Sequence, residues 1–215
     1  MIDLHTHTLF SDGELLPSEL VRRAETIGYE AVALTDHADS SNLDWVVPRL
    51  AQVCRDLNLR WKIRAIPGIE LTHVPPEMIA LLAAKARSLG ALIVLVHGET
   101  LVEPVPPGTN RKAIEAGVDI LAHPGLITEE ETGLAREKNV VLEISARKGH
   151  SLSNGHVART ALKFGTALVL NTDTHSPDDL TSRERASRVA LGAGLAMDEF
   201  ERMQQNARRF VARVA

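Results

Sequence analysis

Short apolar runs alternate with amphipathic segments along almost the whole chain. The apolar runs are rich in Val, Ile, Leu and Ala, and most are continuously apolar, as expected of parallel strands that are buried on both faces. This pattern predicts seven strands, at 2–5, 31–36, 63–70, 91–97, 118–123, 140–145 and 167–173.

Helical patterns fill the intervals between these strands. Pro17 suits the first turn of a helix over 17–28 that ends at Gly28, and Asp44 is a candidate cap for a helix over 45–58. Apolar residues at helical spacing and glycines at the ends predict the remaining helices at 75–89, 110–116, 129–138, 154–164, 178–191 and 198–213.

Seven strand–helix units without a linker or an internal repeat predict an α/β fold with a single domain over residues 1–215. We expect a closed or nearly closed, TIM-like (β/α)7 barrel, with the C-terminal helix 198–213 packing on it. A doubly wound open sheet is the alternative, because the number of strands does not distinguish the two.

Composition narrows the choice of partners. Aromatic residues make up only 3% of the 215 residues and the net charge is −4, so few side chains could stack on bases and no basic field attracts a polyanion. Nucleic acid is therefore an unlikely partner. The single cysteine, Cys54, is predicted to pack in a helix rather than to form a disulfide. We see no signal peptide and no membrane span, which predicts a cytoplasmic protein.

Ionisable side chains concentrate where the predicted strands end, which is where β/α barrels build their active sites. His5 and His7 share one face of the first strand, because residues two apart on a strand point the same way. Six of the nine histidines lie at strand ends; the exceptions are His73, His150 and His156. The strand-end residues, in chain order, are His5, His7, Asp36, His37, Glu70, His97, His123, Arg147, Lys148, Asp173 and His175.

Each of these residues has an ordinary explanation alone, for example Asp12 as the turn residue of SDG. Together, buried imidazoles and carboxylates at one barrel mouth would repel or lack partners unless a cation joined them. The six strand-end histidines together with Asp12, Glu70 and Asp173 make nine candidate ligands, more than the four that one zinc ion takes. We therefore expect two to three divalent ions, and Zn, Mn and Fe all suit these ligand types. Such a site generates hydroxide near neutral pH and is typical of phosphoester hydrolysis.

Two basic residues follow the sixth predicted strand. Arg147 is a candidate for bidentate phosphate binding, with Lys148 as a second positive charge. A solvated loop is an equally good interpretation of Lys148.

As a set, these motifs resemble the PHP (polymerase and histidinol phosphatase) superfamily of distorted (β/α)7 barrels with two or three metal ions. The resemblance rests on motifs between residue 3 and about residue 177: DLHTH at 3–7, SDG at 11–13, LTDH at 34–37, GIE at 68–70, His97, AHP at 122–124 and TDTH at 172–175.

The resemblance implies three groups of ligands. His5, His7, Glu70 and Asp173 would hold one ion. Glu70 would bridge to a second ion on His97 and His123, and a third would lie among Asp12, His37 and His175. The family does not always have a carboxylate at the position of Asp12. Glu70, Asp173 and His175 are the residues expected to act in catalysis, with Asp3 and Asp36 orienting imidazoles.

We therefore expect a metal-dependent hydrolase of small phosphomonoesters. Histidinol phosphate is not favoured as the substrate, because histidinol phosphatases are longer and carry loops that wall in the substrate. The main long loop here is 98–109, well placed to cover the site. The alternatives are a nuclease or phosphodiesterase acting on nucleic-acid ends and a non-catalytic metal-binding module.

Overall fold

The aliphatic runs form parallel strands in the computed structural model, which describes residues 1–214. A short strand at His37 is a direct continuation of the one ending at Leu34, because both pair with the same neighbouring strand in one register. The barrel therefore has seven strand positions, as predicted. The strands are β1 (Ile2–Asp3), β2 (Ala31–Leu34), β3 (His37–Ala38), β4 (Arg64–Leu71), β5 (Ile93–His97), β6 (Ile120–Ala122), β7 (Val141–Ser145) and β8 (Leu168–Asn171).

Neighbouring strands follow the order β1-β2-β4-β5-β6-β7-β8, and β3 pairs with β4. The two ends of this sheet meet just beyond β1 and β8, where Thr6 and Thr174 form a parallel bridge. The backbone N–H of His7 donates to the carbonyl of Thr174 (2.8 Å), and that of Asp173 donates to the carbonyl of His5 (3.0 Å). The nearly closed barrel is thus confirmed, and the open doubly wound sheet is wrong.

Helices follow the strands and cover the outside of the barrel. They are α1 (Pro17–Thr26), α2 (Leu43–Asn58), α3 (Ile79–Leu89), α4 (Thr109–Glu115), α5 (Glu129–Lys138), α6 (Asn154–Phe164), α7 (Arg183–Gly192) and α8 (Met197–Val211).

Three details of the predicted helices are wrong. The segment predicted as a helix from residue 75 starts with a 3₁₀ turn at Pro76–Met78, and α3 begins only at Ile79. Asp44 does not cap α2: the helix begins at Leu43 after Asn42, so Asp44 lies in the first turn, where its charge favours the helix dipole. The segment predicted as a helix from residue 178 starts with a 3₁₀ turn at Pro177–Asp179, and α7 begins only after Ser182. The hydroxyl of Ser182 accepts a hydrogen bond from the N–H of Arg185, which fixes this later start.

The core has two parts: a layer between strands and helices, which includes the buried Cys54, and the barrel interior. Ile66, Ile93 and Val141 point into the barrel. Since side chains alternate along a strand, Glu70 and Glu143 point inward as well, nearer the C-terminal end. The barrel interior therefore has an aliphatic layer toward the N-terminal ends of the strands and a polar layer toward their C-terminal ends.

Helix α8 lies at the N-terminal end of the barrel. Its Phe210 packs with the aliphatic side chains of the interior, and Gln204 accepts a hydrogen bond from the N–H of Ile2 (2.8 Å). Only the other end of the barrel is left to carry a polar site. Within residues 1–214, no helix is both long and apolar enough to cross a membrane.

Candidate metal centre

The polar layer opens into a cavity of about 250 Å³ at the C-terminal ends of the strands. Its lining is entirely polar and contains five imidazoles: Asp12, His37, Thr72, His73, His97, Glu103, Arg147, His150, Asp173 and His175. A larger cavity, of about 640 Å³, lies among α5, α6 and α8, and its lining has no histidine. The chemistry therefore identifies the smaller cavity as the candidate site.

The DLHTH segment is fixed by two buried carboxylates. Asp3 accepts hydrogen bonds from the N–H groups of His5 and Thr172 (both 3.2 Å). Asp36 accepts from the N–H of Thr8 (2.7 Å). Both carboxylates thus hold the backbone of the segment that carries the histidines, and their effect on the orientation of the imidazoles stays a prediction.

His5, His7, Glu70 and Asp173 meet at the floor of the cavity, and all four are buried. His5 Nε2 lies 3.4 Å from Glu70 Oε1 and 3.6 Å from Asp173 Oδ1. His7 Nε2 lies 3.1 Å from the same oxygen of Asp173. Ligands about 2.0–2.1 Å from a tetrahedral ion lie about 3.3–3.4 Å apart, so these separations fit a shared cation.

Glu143 is a site residue that strand-end reasoning missed. Its Oε2 lies 2.8 Å from His5 Nδ1 and accepts a hydrogen bond from the side-chain amide of Asn171 (2.8 Å). With Nδ1 engaged in this way, Nε2 of His5 faces Glu70 and Asp173. A carboxylate behind a ligand imidazole fixes the ring orientation and raises its basicity.

A second group contains Asp12, His37 and His175. Asp12 Oδ1 lies 3.4 Å from His37 Nε2 and 3.2 Å from His175 Nε2, and the two nitrogens are 3.4 Å apart. These three atoms again have the separations of ligands on one ion. Gly13 makes this turn feasible, because a Cβ there would lie 2.3 Å from the carbonyl oxygen of His7.

A third group joins His97 and His123 to His150, which was not a predicted ligand. The rings of His123 and His150 are stacked with centroids 4.0 Å apart, and all three histidines are buried. One ring nitrogen of each lies within 4.8 Å of the others. His150 was missed because it lies five residues beyond Ser145, the end of β7, in a 3₁₀ turn that folds back over the cavity.

The two basic candidates have different positions. Arg147 lines the cavity and donates from a guanidinium nitrogen to the carbonyl oxygen of Asp173 (3.0 Å). Lys148 is exposed and is not part of the cavity lining. The structure thus brings Arg147, but not Lys148, to the predicted metal ligands.

Burial shifts the pKa values of several of these groups in the direction that favours the neutral form. Burial raises the pKa of Asp173 to about 7. Burial, together with nearby imidazoles, lowers the pKa of His7 and His123 well below the usual histidine range. Neutral imidazole is the form that binds metal.

Two imidazoles have raised pKa values because carboxylates surround them. Burial disfavours the charged form of His37, but Glu70 and Asp12 raise its pKa to about 10. Burial acts in the same direction on His5, and is outweighed by Glu143 and the neighbouring carboxylates, which raise its pKa.

Buried atoms without hydrogen-bond partners test whether the residues fit a metal. A buried polar atom without a partner destabilises the folded protein, so each one needs an explanation. Within residues 1–214 there are seven of them, and all but Thr181 Oγ1 belong to residues at the centre: His5 Nε2, His7 Nδ1 and Nε2, Glu70 Oε1, His123 Nδ1 and Glu143 Oε1. The residues present therefore fit a polynuclear metal centre.

Backbone strain is found at the same place. Asp173 has φ of 54° and His123 has φ of 27°, a region that costs non-glycine residues about 1–3 kcal/mol. The unusual conformation of Asp173 goes together with the hydrogen bond from its N–H to the carbonyl of His5. The fold accepts strain at two candidate ligands.

A model of the PHP domain matches residues 3–147, which is more than half of the chain. The chain belongs to the PHP domain family. The predicted family resemblance is thereby confirmed. The match contains the first seven of the predicted ligands and ends at Arg147, before Asp173 and His175.

Three curated relatives align over most of this PHP domain. The uncharacterized protein MJ1295 of Methanocaldococcus jannaschii is 50% identical over 201 residues, covering 93% of this chain and 92% of its own length. The probable phosphatase Teth514_1060 of Thermoanaerobacter sp. is 26% identical (92% and 88% covered). The Ribonuclease P protein component 3 of Methanosarcina barkeri is 29% identical (87% and 79%).

Solved structures share the fold. A chain in the structure of archaeal Ribonuclease P with mature tRNA superposes with a TM-score of 0.75 at 17% identity, over 99% of this chain and 90% of that one. Histidinol phosphate phosphatase from Lactococcus lactis, complexed with Zn, L-histidinol and phosphate, gives 0.62 at 18% identity, over 91% and 94%. At these identities the likeness concerns the fold alone.

Proposed function

We propose that this PHP domain is a metal-dependent hydrolase of small phosphomonoesters. The observation that carries the proposal is the set of buried, unpartnered imidazole and carboxylate atoms beneath a small polar cavity beside Arg147. The relatives named as probable phosphatases support it.

The ligands we propose are the nine predicted from the sequence. His5, His7, Glu70 and Asp173 would hold one ion, Glu70 with His97 and His123 a second, and Asp12, His37 and His175 a third. Divalent ions there, when bound, would supply Lewis acidity toward a phosphoryl group and activate water.

The chain's own residues would position the substrate. Arg147 uses one guanidinium nitrogen on the carbonyl of Asp173, and its remaining N–H groups can form a bidentate contact with a phosphate. Glu70, Asp173 and His175, the residues expected to act in catalysis, would do so as ligands that fix the ions beside the reacting phosphoryl group. Lys148 would contribute at most a distant positive charge.

The size and lining of the cavity point to a small ester. A volume of about 250 Å³ is below the roughly 300–1,000 Å³ of pockets that enclose drug-sized ligands. The lining has no aromatic side chain except imidazoles, so a nucleobase would find little to stack on. We infer a substrate in which the phosphate is the main group recognised.

The test combines metal analysis with an activity screen. The protein is loaded with Mn²⁺ or Zn²⁺, its metal content is measured by elemental analysis, and phosphate release is followed from a panel of small phosphomonoesters. Asp173→Asn should lose activity and bound metal, whereas the exposed Asp178→Asn should retain both. A protein that binds two to three ions but hydrolyses no phosphomonoester would overturn the proposed activity.

Hydrolysis at nucleic-acid ends is the second candidate. The sequence similarity to a Ribonuclease P component supports it only in so far as it points to a nucleic acid as the substrate. The net charge of −4 and a cavity lined by one basic residue oppose it. Short 5′-phosphorylated oligonucleotides distinguish the two activities. A phosphomonoesterase releases inorganic phosphate and leaves the oligonucleotide intact, whereas a nuclease releases mononucleotides.

A further inference from the structure

The connection from β5 to α4 places a carboxylate in the cavity. Glu103 Oε2 lies 3.0 Å from His97 Nε2 and 3.1 Å from His73 Nε2, and Glu103 Oε1 lies 3.4 Å from His150 Nε2. Neither Glu103, His73 nor His150 belongs to the nine ligands predicted from the sequence. Together they lie on the outer side of His97 and His123.

The ends of this connection are fixed, while its middle is exposed. The carboxylate of Glu99 accepts hydrogen bonds from the N–H groups of Gly108 (3.0 Å) and Asn110 (2.9 Å). Thr100 Oγ1 lies 2.8 Å from His150 Nδ1. Residues 101–104, between these anchors, are exposed. Glu103 therefore reaches the cavity from an exposed segment whose two ends are held by hydrogen bonds.

We propose that His150 is a further ligand at the metal position of His97 and His123, and that Glu103 is an exchangeable ligand there. In the resting protein the carboxylate of Glu103 would occupy the place that a phosphate group takes. The phosphate part of this inference rests on the proposed function.

Geometry supports both parts. The two oxygens of Glu103 face different imidazoles. Oε2 lies 3.0 Å from His97 Nε2 and Oε1 lies 3.4 Å from His150 Nε2, so the carboxylate spans both nitrogens at distances close to those between ligands of one ion. Three imidazoles and Glu70 already form a four-ligand set suited to zinc, so Glu103 would be a fifth ligand, which suits a group that exchanges. Since the side chain of Glu103 is 38% exposed, its carboxylate can move into water without leaving a buried charge behind.

His150 is tested by zinc binding, which does not depend on any substrate. His150→Asn places an amide near the position of Nδ1, retaining a partner for Thr100, but removes Nε2. Zinc titration of the metal-free variant by calorimetry should show the loss of one equivalent, or at least a tenfold weaker affinity at one site. His156→Ala is the matched control, because His156 lies outside the cavity and bonds to the carbonyl of Ile127. Wild-type stoichiometry and affinity in a folded His150→Asn protein would overturn this assignment.

Glu103 is tested by binding of inorganic phosphate to the zinc-loaded protein. A tethered carboxylate competes with phosphate at a high effective concentration. Glu103→Gln should therefore bind phosphate about tenfold more tightly, whereas Glu77→Gln, the same charge change on an exposed turn, should match the wild type.

Unchanged or weaker phosphate binding by Glu103→Gln, or no phosphate binding by either protein, would refute the exchange. The proposed function fails separately. A protein whose phosphate affinity responds to Glu103 but that hydrolyses no ester would retain the exchange and lose the phosphatase activity.

Discussion

Replacing Glu143 by Gln should weaken metal binding without changing any ligand. The side chain keeps its size, and its amide oxygen can still face His5 Nδ1, now 2.8 Å from Glu143 Oε2. The negative charge behind the ring is lost, and this charge is the leading cause that raises the pKa of His5 against burial. A less basic imidazole is a weaker ligand.

Loss of such an outer partner typically costs about 10–100-fold in metal affinity. That factor corresponds to about 1.4–2.8 kcal/mol at tenfold per 1.4 kcal/mol. We expect a value toward the upper end, because Glu143 is fully buried and little solvent screens its charge.

The assay is competition between the metal-free protein and a chromophoric chelator for Zn²⁺. Glu137→Gln, the same change on the exposed side of α5, should bind like the wild type. If Glu143→Gln unfolds cooperatively at the wild-type temperature and binds zinc with unchanged affinity, the contact between Glu143 and His5 does not tune the site, and the reasoning is refuted.

Three other perturbations test the centre. Removing the metal should lower Tm by roughly 5–11 °C. One ion at 100 times its Kd stabilises the folded protein by about 2.7 kcal/mol, and Tm of a chain of this size shifts by about 2–4 °C per kcal/mol. An unchanged Tm in differential scanning calorimetry would show that bound ions do not stabilise the fold. Arg147→Ala should raise KM for phosphate esters and leave the metal content unchanged, whereas Lys148→Ala should match the wild type in both. Equal KM values for the two variants would show that Arg147 does not bind the phosphate. Gly13→Ala should displace Asp12, because the added Cβ would clash with the carbonyl oxygen of His7. The variant should therefore bind one equivalent of zinc less than the wild type. Wild-type zinc stoichiometry would show that the turn rearranges without moving Asp12.

The strand ends could be predicted from the sequence because two regular patterns coincide there. Uninterrupted aliphatic runs locate buried parallel strands, and the topology of the barrel brings all their C-terminal ends to one mouth. His97 and His123 are far apart in sequence but end neighbouring strands, β5 and β6, which pair directly. Their proximity therefore followed from the order of strands alone.

Residues on connections could not be placed in this way. Glu103 and His150 lie beyond the strands, and their positions depend on contacts between two connections, such as that between Thr100 and His150. No periodic pattern encodes such contacts, because the backbone of a loop has no fixed repeat. Asp44 was misjudged for a related reason: several polar residues precede α2, and local sequence does not say which of them begins the helix.

Glu143 is different, since the sequence did contain the signal. In VVLEIS the residues of β7 alternate between the two faces, and Val141 packs in the barrel interior. Two residues later on the same face, a carboxylate must also point inward, at the level of Glu70. An unpaired charge at that depth would be strongly destabilising unless a cationic partner neutralised it. The inward position of Glu143, read together with His5 on the first strand, therefore predicts the contact that orients the imidazole.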